Sequence, residues 1–215
     1  MNKTPICHDT DEINRYQAFM EKTFRPKDES IIAHELTSEY IHSDILILSK
    51  CELIDGDCAY ISIGMSARPI KRSPLREYKR IELMLFSTDK IKNDTDVINE
   101  LVELTKFPFK NSTWLGEFHT ISVSERFEGK FGFAAFLILP AMTKDYKTKK
   151  KKDVKILPIL PIYKEELEIL KHNDKNSNAL RRMLFWKINE EDMSLAVDSK
   201  RENLALGIEQ KLELS

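Results

Sequence analysis

The chain of 215 residues is 41% hydrophobic and 32% charged, a composition typical of a globular protein and not of a disordered one. Its 34 basic and 35 acidic residues leave a net charge of −1, so no overall field would attract nucleic acid or an anionic membrane. No apolar run approaches the roughly 20 residues that span a bilayer, and the amino terminus lacks the apolar core of a signal peptide.

The first third of the chain predicts one helix and a β-hairpin. Apolar residues at helical spacing favour an amphipathic helix over residues 11–24. Residues 41–48 are rich in apolar and β-branched side chains and predict a strand. A turn at residues 55–56 then leads to a second strand over residues 58–63, which is the pattern of a β-hairpin.

Three cysteines, an odd number, fit a reducing compartment, and we expect the protein to be cytoplasmic. Cys51 and Cys58 flank the predicted turn, so they could be near each other. Their spacing fits a diagonal position across two strands better than a direct pair. Both are therefore predicted to be free thiols.

The middle of the chain alternates strand and helix signals. Residues 78–86 alternate well enough to predict a strand. Residues 94–106 place apolar side chains on one face of a helix, which Pro108 is expected to end. Three further strands are predicted at residues 119–123, 133–139 and 154–162.

The last part of the chain predicts two helices. Acidic residues favour a helix start after Tyr163, and another helix is predicted over residues 177–186. Strands that are grouped together, with helices between the groups, are typical of an α+β fold. We therefore expect a single α+β domain.

Residues 144–155 form a low-complexity segment with seven lysines. Such charges repel one another and should remain solvated. The segment joins two predicted strands, so it is predicted to be the tip of a hairpin. It either contacts acidic or phosphorylated partners or only makes the surface soluble.

The familiar signatures of catalysis are missing from the sequence. It has no glycine-rich phosphate loop, no His-Glu-x-x-His motif and no Cys-x-x-Cys pair. Ser66 is the best candidate for a nucleophile, but it lacks the Gly-x-Ser-x-Gly context.

A sparse set of polar residues lies in otherwise apolar strands. His42 and Asp44 share one face of a predicted strand, and Arg80 and Glu82 share a face of another. Two such strands in one sheet could bring these four side chains together, with His119 as a further source. The set could bind a metal or supply a general base. It could equally form a buried network in which Arg80 pairs with a carboxylate.

Trp114 and Phe118 lie in a loop before a predicted strand. Aromatic residues in such a loop either anchor a binding partner or cap one end of the core.

Seven short segments, taken together and in order, resemble the suppressor-of-fused family over residues 40–205. They are IHSDI at 41–45, GMSARPI at 64–70, RIELMLF at 80–86, KFPF with TWLGEFHTI within 106–121, FLILPAM at 136–142, LPILPIYKEELEIL at 157–170, and a stretch from Leu184 to Leu204. The acidic residues that follow the proline and tyrosine of the family pattern are present here as Glu165 and Glu166. Glu117 and Phe118 depart from the pattern, because many relatives have a smaller or more polar pair there.

The resemblance implies a mixed, mostly antiparallel sheet with helices packed on it, and no enzymatic activity. The animal member is a cytoplasmic adaptor that clamps an extended peptide of a transcription factor between two lobes, of which this chain resembles the first. Small stand-alone bacterial members are associated with immunity to a co-encoded toxin, and the length and lysine content suit that group. The implied boundaries are a helical extension over 1–36, a suppressor-of-fused-like domain over 37–206 and a tail over 207–215.

We therefore predict a non-enzymatic adaptor or immunity-like protein that binds one specific protein, such as a toxin domain or an extended peptide, without a cofactor. Neither a membrane nor nucleic acid is expected as a partner. Binding could use a sheet edge or a polar groove. The predicted partner-binding residues are His42, Asp44, Met65, Ser66, Arg80, Glu82, Trp114 and His119. The alternative is a metal-dependent hydrolase that uses His42, Asp44, Glu82 and His119.

Overall fold

A computed structural model describes most of the chain. The described residues are 7–34, 40–54, 57–88, 94–172, 175–189, 195–198 and 201–205. Within them, five helices and a mixed, mostly antiparallel sheet of nine strands make an α+β protein, which confirms the predicted fold class. The chain divides into two compact units, the first formed by residues 1–119 with 138–159 and the second by 120–137 with 160–215.

The first unit begins with helix α1, Thr10–Phe24, which confirms the predicted helix. Asp9 caps it, because its Oδ1 accepts a hydrogen bond of 2.8 Å from the backbone N–H of Glu12. Tyr16 and Phe24 lie on its buried face at helical spacing.

Four antiparallel strands follow in the order of the chain. They are β1, Ile31–Ala33; β2, Asp44–Leu48; β3, Cys58–Ile63; and β4, Ile81–Ser87. Every residue of β2, β3 and β4 is buried, which explains their long apolar runs. Strands β2 and β3 confirm the predicted hairpin, whereas residues 55–56 of its turn lie outside the described residues.

Two short 3₁₀ turns, Met65–Ala67 and Arg76–Lys79, lie between β3 and β4. Only Arg80 separates Arg76–Lys79 from β4, so β4 begins at Ile81 and not at the predicted Tyr78.

Helix α2, Thr95–Lys110, continues through Pro108, so the predicted end at this proline is wrong. Asp94 caps the helix through its Oδ1, which accepts from the backbone N–H of Asp96 at 2.9 Å. Pro108 lies in the last turn, where only one helical hydrogen bond is lost, and its ring is buried. Burial of the ring offsets part of that loss.

The lysine segment forms the tip of a hairpin between β7, Tyr146–Lys147, and β8, Asp153–Ile162. The hairpin was predicted, but its first strand is β7 and not the earlier apolar stretch. Strand β8 also pairs with β4 in parallel, with Ile81 opposite Lys155.

The second unit contains β5, Thr120–Ser122, antiparallel to β6, Ala135–Ile138. Helix α3, Glu125–Phe131, lies between them in the chain and was not predicted. Its amino-terminal end is capped by Ser124, and it ends at Gly132 in a left-handed conformation with φ of 79°.

The remaining elements of the second unit are two helices and a short strand. They are α4, Lys164–Lys171; α5, Lys175–Asn189; and β9, Ala196–Val197. Both predicted helices are thereby confirmed. In the described part of the chain, no helix combines the length and the apolarity that a membrane crossing needs.

The three cysteines are free, and Cys51 and Cys58 are buried, which confirms both predicted thiols. Burial raises the pKa of the Cys51 thiol to about 12. The reactive thiolate form is therefore scarce at neutral pH.

Candidate functional site

Glu82 is the centre of a buried polar network in the first unit. Its side chain on β4 is 1% exposed. Oε1 accepts hydrogen bonds from the backbone N–H groups of Gly64, at 3.0 Å, and Ser66, at 2.9 Å. Oε2 accepts a bond of 2.5 Å from the hydroxyl of Ser62. The carboxylate therefore fixes the start of the Met65–Ala67 turn.

Gly64 makes this arrangement possible. Its φ of 126° is a conformation that other residues rarely adopt, and a Cβ there would collide with the backbone carbonyl oxygen of His42. Only glycine lets the backbone N–H approach Glu82 at this point.

Arg80 holds the same turn from its other side. Its Nη1 donates to the carbonyl oxygen of Ala67 at 3.0 Å and also to that of Ser66. The predicted network paired Arg80 with a carboxylate, but the structure gives it main-chain carbonyl oxygens. Burial lowers the pKa of Arg80, while these two bonds hold the guanidinium in one orientation.

Two further groups in the first unit lie near the buried carboxyl. His8 Nε2 is 2.9 Å from the hydroxyl oxygen of Ser66. Burial raises the pKa of Glu82, although its hydrogen bonds with Ser62 and Ser66 and the charge of His8 act in the opposite direction. Burial and the nearby Glu82 raise the pKa of the Tyr16 hydroxyl. Burial, the largest of these effects, therefore keeps the carboxyl group of Glu82 protonated to a higher pH than in water, against its hydrogen bonds.

Asp44 lies between two histidines. Its Oδ1 is 3.1 Å from His34 Nδ1 and 3.1 Å from His42 Nε2. Asp44 is 2% exposed, whereas the side chain of His34 is 73% exposed. Of the four side chains that were expected to come together, His42 and Asp44 are within hydrogen-bond distance, but Asp44 and Glu82 have separate partners.

The metal-dependent alternative needs His42, Asp44, Glu82 and His119 in one place. In the residues that the structure describes, no group of three or more His, Cys, Asp or Glu side chains is arranged to hold a metal ion. These four residues therefore do not form the predicted metal site there.

Trp114 and His119 pack against each other in the loop before β5. Their ring centroids are 4.4 Å apart in an edge-to-face arrangement, and the Tyr78 ring lies 6.0 Å from that of Trp114. A Cβ at Gly116 would lie 2.5 Å from the Trp114 ring, so this glycine permits the close packing. Burial lowers the pKa of His119, which keeps its ring neutral at pH values near 7.

Phe118 has a strained backbone and an exposed side chain. Its φ is 63° and the residue is 39% exposed. Its backbone N–H donates to the carbonyl oxygen of Ile138 at 2.7 Å, and the next carbonyl, that of His119, accepts from Ile138 at 2.9 Å. These bonds hold an aromatic residue in a conformation that costs most residues about 1–2 kcal/mol.

A groove of about 600 Å³ lies in the first unit. Its lining residues are Pro69, Leu75, Arg76, Glu77, Lys79, Arg80, Asp145, Lys151, Lys152 and Asp153. The lysine segment and Arg80 were identified from the sequence, but the wall formed by residues 69–79 was not. The signal available was the high density of basic residues between Arg68 and Arg80.

The predicted partner-binding residues fall into two classes by burial. Met65, Ser66, Asp44 and Glu82 are buried, so they support the surface from beneath. A partner can reach only the half-buried ones without a rearrangement. These are His42, Arg80, Trp114 and His119.

Comparisons with known proteins give a family match and a shared fold. Residues 39–202 match the family model described as Suppressor of fused protein (SUFU). No curated protein sequence matches the chain.

Several solved structures are similar to this chain, and three of them illustrate the shared fold. A SUFU homologue from Neisseria gonorrhoeae FA 1090 has a TM-score of 0.65 at 14% identity, over 91% of this chain and 97% of that one. A Sufu–Fu complex gives a TM-score of 0.66 at 11% identity, over 99% of this chain and 97% of the matched chain. Drosophila Suppressor of Fused gives 0.50 at 12% identity, over 79% of this chain and 45% of that one. At these identities the similarity concerns the fold.

Proposed function

This chain belongs to the suppressor of fused family, and we propose that it is a non-enzymatic domain that binds one specific protein, as an adaptor or an immunity protein that neutralises a toxin. The family membership was expected from the seven sequence segments and is confirmed. One of the similar structures is that of a Sufu–Fu complex, which supports a protein as the ligand.

The exposed ring of Phe118 is the observation that carries this proposal. A phenylalanine at φ of 63° costs free energy that glycine or asparagine would not cost. Strained residues of this kind concentrate at functional sites, and exposed aromatic side chains are common anchors of protein interfaces. Phe118 is therefore the proposed anchor of the partner.

The surroundings of Phe118 are ordered before any partner arrives. Its backbone N–H is hydrogen-bonded to the carbonyl oxygen of Ile138, and the ring of its neighbour His119 packs against Trp114. A surface that is already rigid loses little conformational entropy on binding, so more of the contact energy is available for affinity. Trp114, His119 and Arg80 extend the proposed surface.

The proposed location is the cytoplasm, which the free thiols of Cys7, Cys51 and Cys58 support. The division into an extension over 1–36, a domain over 37–206 and a tail over 207–215 remains a prediction.

The test is affinity capture of the tagged protein from the lysate of its source cells, followed by mass spectrometry. The informative variant is Phe118→Asn, because asparagine tolerates this backbone conformation and should not unfold the chain. Leu53→Asn is the matched control, since Leu53 is also apolar and is 56% exposed. We expect one stoichiometric protein to bind the wild type and Leu53→Asn, and to bind Phe118→Asn at least about tenfold more weakly.

An immunity role also requires the captured partner to be toxic. Expressed alone, it should stop growth, and co-expression of this protein should restore it. A captured partner that binds Phe118→Asn as well as the wild type would remove Phe118 as the anchor. The complete lack of a stoichiometric partner would contradict the proposed function itself.

A further inference from the structure

The fold brings together the two most basic segments of a nearly neutral chain. Residues 68–80 hold six basic side chains and one acidic one, and residues 144–155 hold seven basic and two acidic ones. Side chains from both segments line the same groove of about 600 Å³. The charge of the whole chain, −1, conceals this local surplus.

The acidic side chains of the groove already have basic partners. Lys155 Nζ lies 4.0 Å from a carboxylate oxygen of Glu77 and 3.8 Å from one of Asp145. Lys147 Nζ lies 3.7 Å from a carboxylate oxygen of Asp153. Lys155 and Lys147 do not line the groove, and together they offset two of these three negative charges.

Most of the basic side chains of the groove have no carboxylate partner. Within the described residues, no ion pair forms at the exposed side chains of Arg76, Lys79, Lys151 and Lys152. Arg80 contributes a fifth positive charge, and its bonds to two carbonyl oxygens fix its position. Carbonyl oxygens do not neutralise a guanidinium charge, so the groove keeps a net positive charge.

The groove also has an apolar part. Pro69 and Leu75 belong to its lining, and Leu75 is 49% exposed. A ligand that matches the groove therefore combines negative charges with at least one apolar group.

We propose that this groove binds an acidic segment of the partner protein, in which aspartate or glutamate side chains meet the basic walls and an apolar side chain meets Leu75. This inference rests on the proposed protein-binding function and specifies the chemistry of the partner. A nucleic acid fits less well, because it presents a regular series of phosphates to a groove that includes Glu77, Asp145 and Asp153. The whole chain also provides no long-range attraction for a polyanion.

The groove is tested with a fluorescein-labelled peptide rich in glutamate and leucine, and with the same peptide carrying glutamine for glutamate. The double variant Lys79→Glu/Lys152→Glu reverses one charge on each wall. Its matched control, Lys144→Glu/Lys150→Glu, makes the same change in net charge at exposed lysines outside the groove lining. Circular dichroism checks that both variants are folded.

We expect the glutamate peptide to bind the wild-type protein, with an affinity that falls as salt rises. The groove variant should bind it at least about tenfold more weakly, because two favourable charge contacts become repulsive. The control variant should bind it within about twofold of the wild type.

Four outcomes would overturn the groove proposal. They are a complete lack of peptide binding, equal binding of the glutamine peptide, equal losses in the two double variants, or tighter binding of single-stranded DNA of the same charge. The protein-binding function is decided separately, because a captured partner that binds the groove variant normally would refute only the groove.

Discussion

Two buried tyrosines that touch each other differ in the hydrogen bonding of their hydroxyl groups. The rings of Tyr16 and Tyr146 pack edge to face with centroids 5.0 Å apart. The Tyr146 hydroxyl donates to the carboxylate of Glu12. The Tyr16 hydroxyl is buried and has no hydrogen-bond partner within the described residues. A buried hydroxyl group without a hydrogen-bond partner destabilises the folded state, whereas a hydrogen-bonded one stabilises it.

Removal of each hydroxyl should therefore have a different effect on stability. We expect Tyr16→Phe to leave the free energy of unfolding unchanged or to raise it by up to about 1 kcal/mol. We expect Tyr146→Phe to lower it by about 1–3 kcal/mol, because Glu12 loses a charged hydrogen bond. Urea denaturation of both variants measures the difference. Equal losses would show that the two hydroxyls are equivalent.

The buried carboxyl of Glu82 should make stability depend on pH. Burial raises its folded-state pKa above the unfolded value of about 4.3, so the folded state binds the proton more tightly. The stabilisation from this proton is present below the unfolded pKa and is lost as the pH rises through the folded one. Glu82→Gln cannot titrate, and its side-chain oxygen can still accept from Gly64 and Ser66.

The stability of the wild type relative to Glu82→Gln should consequently be higher at about pH 5 than at about pH 8. Urea denaturation at both pH values measures this difference. His8 also contacts the network through Ser66, so the comparison is repeated with His8→Gln in both backgrounds. A difference that is constant with pH, or that grows as the pH rises, would contradict the raised pKa.

Only part of this residue-level arrangement could be read from the sequence. His42 and Asp44 were expected on one face of a strand; they do lie together, but β2 begins at Asp44, so strand alternation does not place His42. The partners of Arg80 could not be predicted, since they are main-chain carbonyl oxygens in a turn that depends on the conformation of Gly64. The strain at Phe118 depends on Ile138, which is distant in the chain.

At the scale of elements, Glu166 connects the start of α4 to the carboxyl-terminal segment of the second unit. Its side chain is fully buried, and its Oε2 accepts from the backbone N–H of Tyr163 at 2.9 Å. Its Oε1 accepts from Arg201 Nη1 and from the backbone N–H of Leu204, each at 3.0 Å. One carboxylate therefore fixes both the helix start and residues 201–205.

We expect Glu166→Ala to lower the free energy of unfolding by about 3–5 kcal/mol, because it leaves the Arg201 charge buried without its partner. Glu165→Ala is the matched control, since Glu165 is exposed and accepts a hydrogen bond of 2.9 Å from Asn203 Nδ2. The control should cost less than about 1 kcal/mol. Amide hydrogen exchange should show faster exchange at Leu204 in Glu166→Ala alone. Similar losses in both variants would contradict the central role of Glu166.

Helices and strands were predicted well where most of their residues are buried and therefore apolar. Strand β3 was predicted with its observed ends, because every one of its residues is buried and apolar runs of that length are strands. Helix α3 was missed because seven residues show barely two turns of periodicity. Its caps, Ser124 and Gly132, were the available signals.

At the scale of the whole molecule, the proposed binding surface combines two different kinds of contact within the first unit. The basic groove acts through charge, which attracts a partner before contact. Phe118 acts through an aromatic ring, which contributes only once the surfaces meet. The two should therefore control different rate constants of the same complex.

Binding kinetics with the captured partner separate these roles. We expect Lys79→Glu/Lys152→Glu to lower the association rate constant by about tenfold at low salt and to make it less sensitive to salt. We expect Phe118→Asn to leave the association rate constant within about twofold and to raise the dissociation rate constant. Surface plasmon resonance at low and high salt measures both constants. If both variants changed only dissociation, the groove would be an ordinary part of the contact, and its surplus of charge would have no role in attracting the partner.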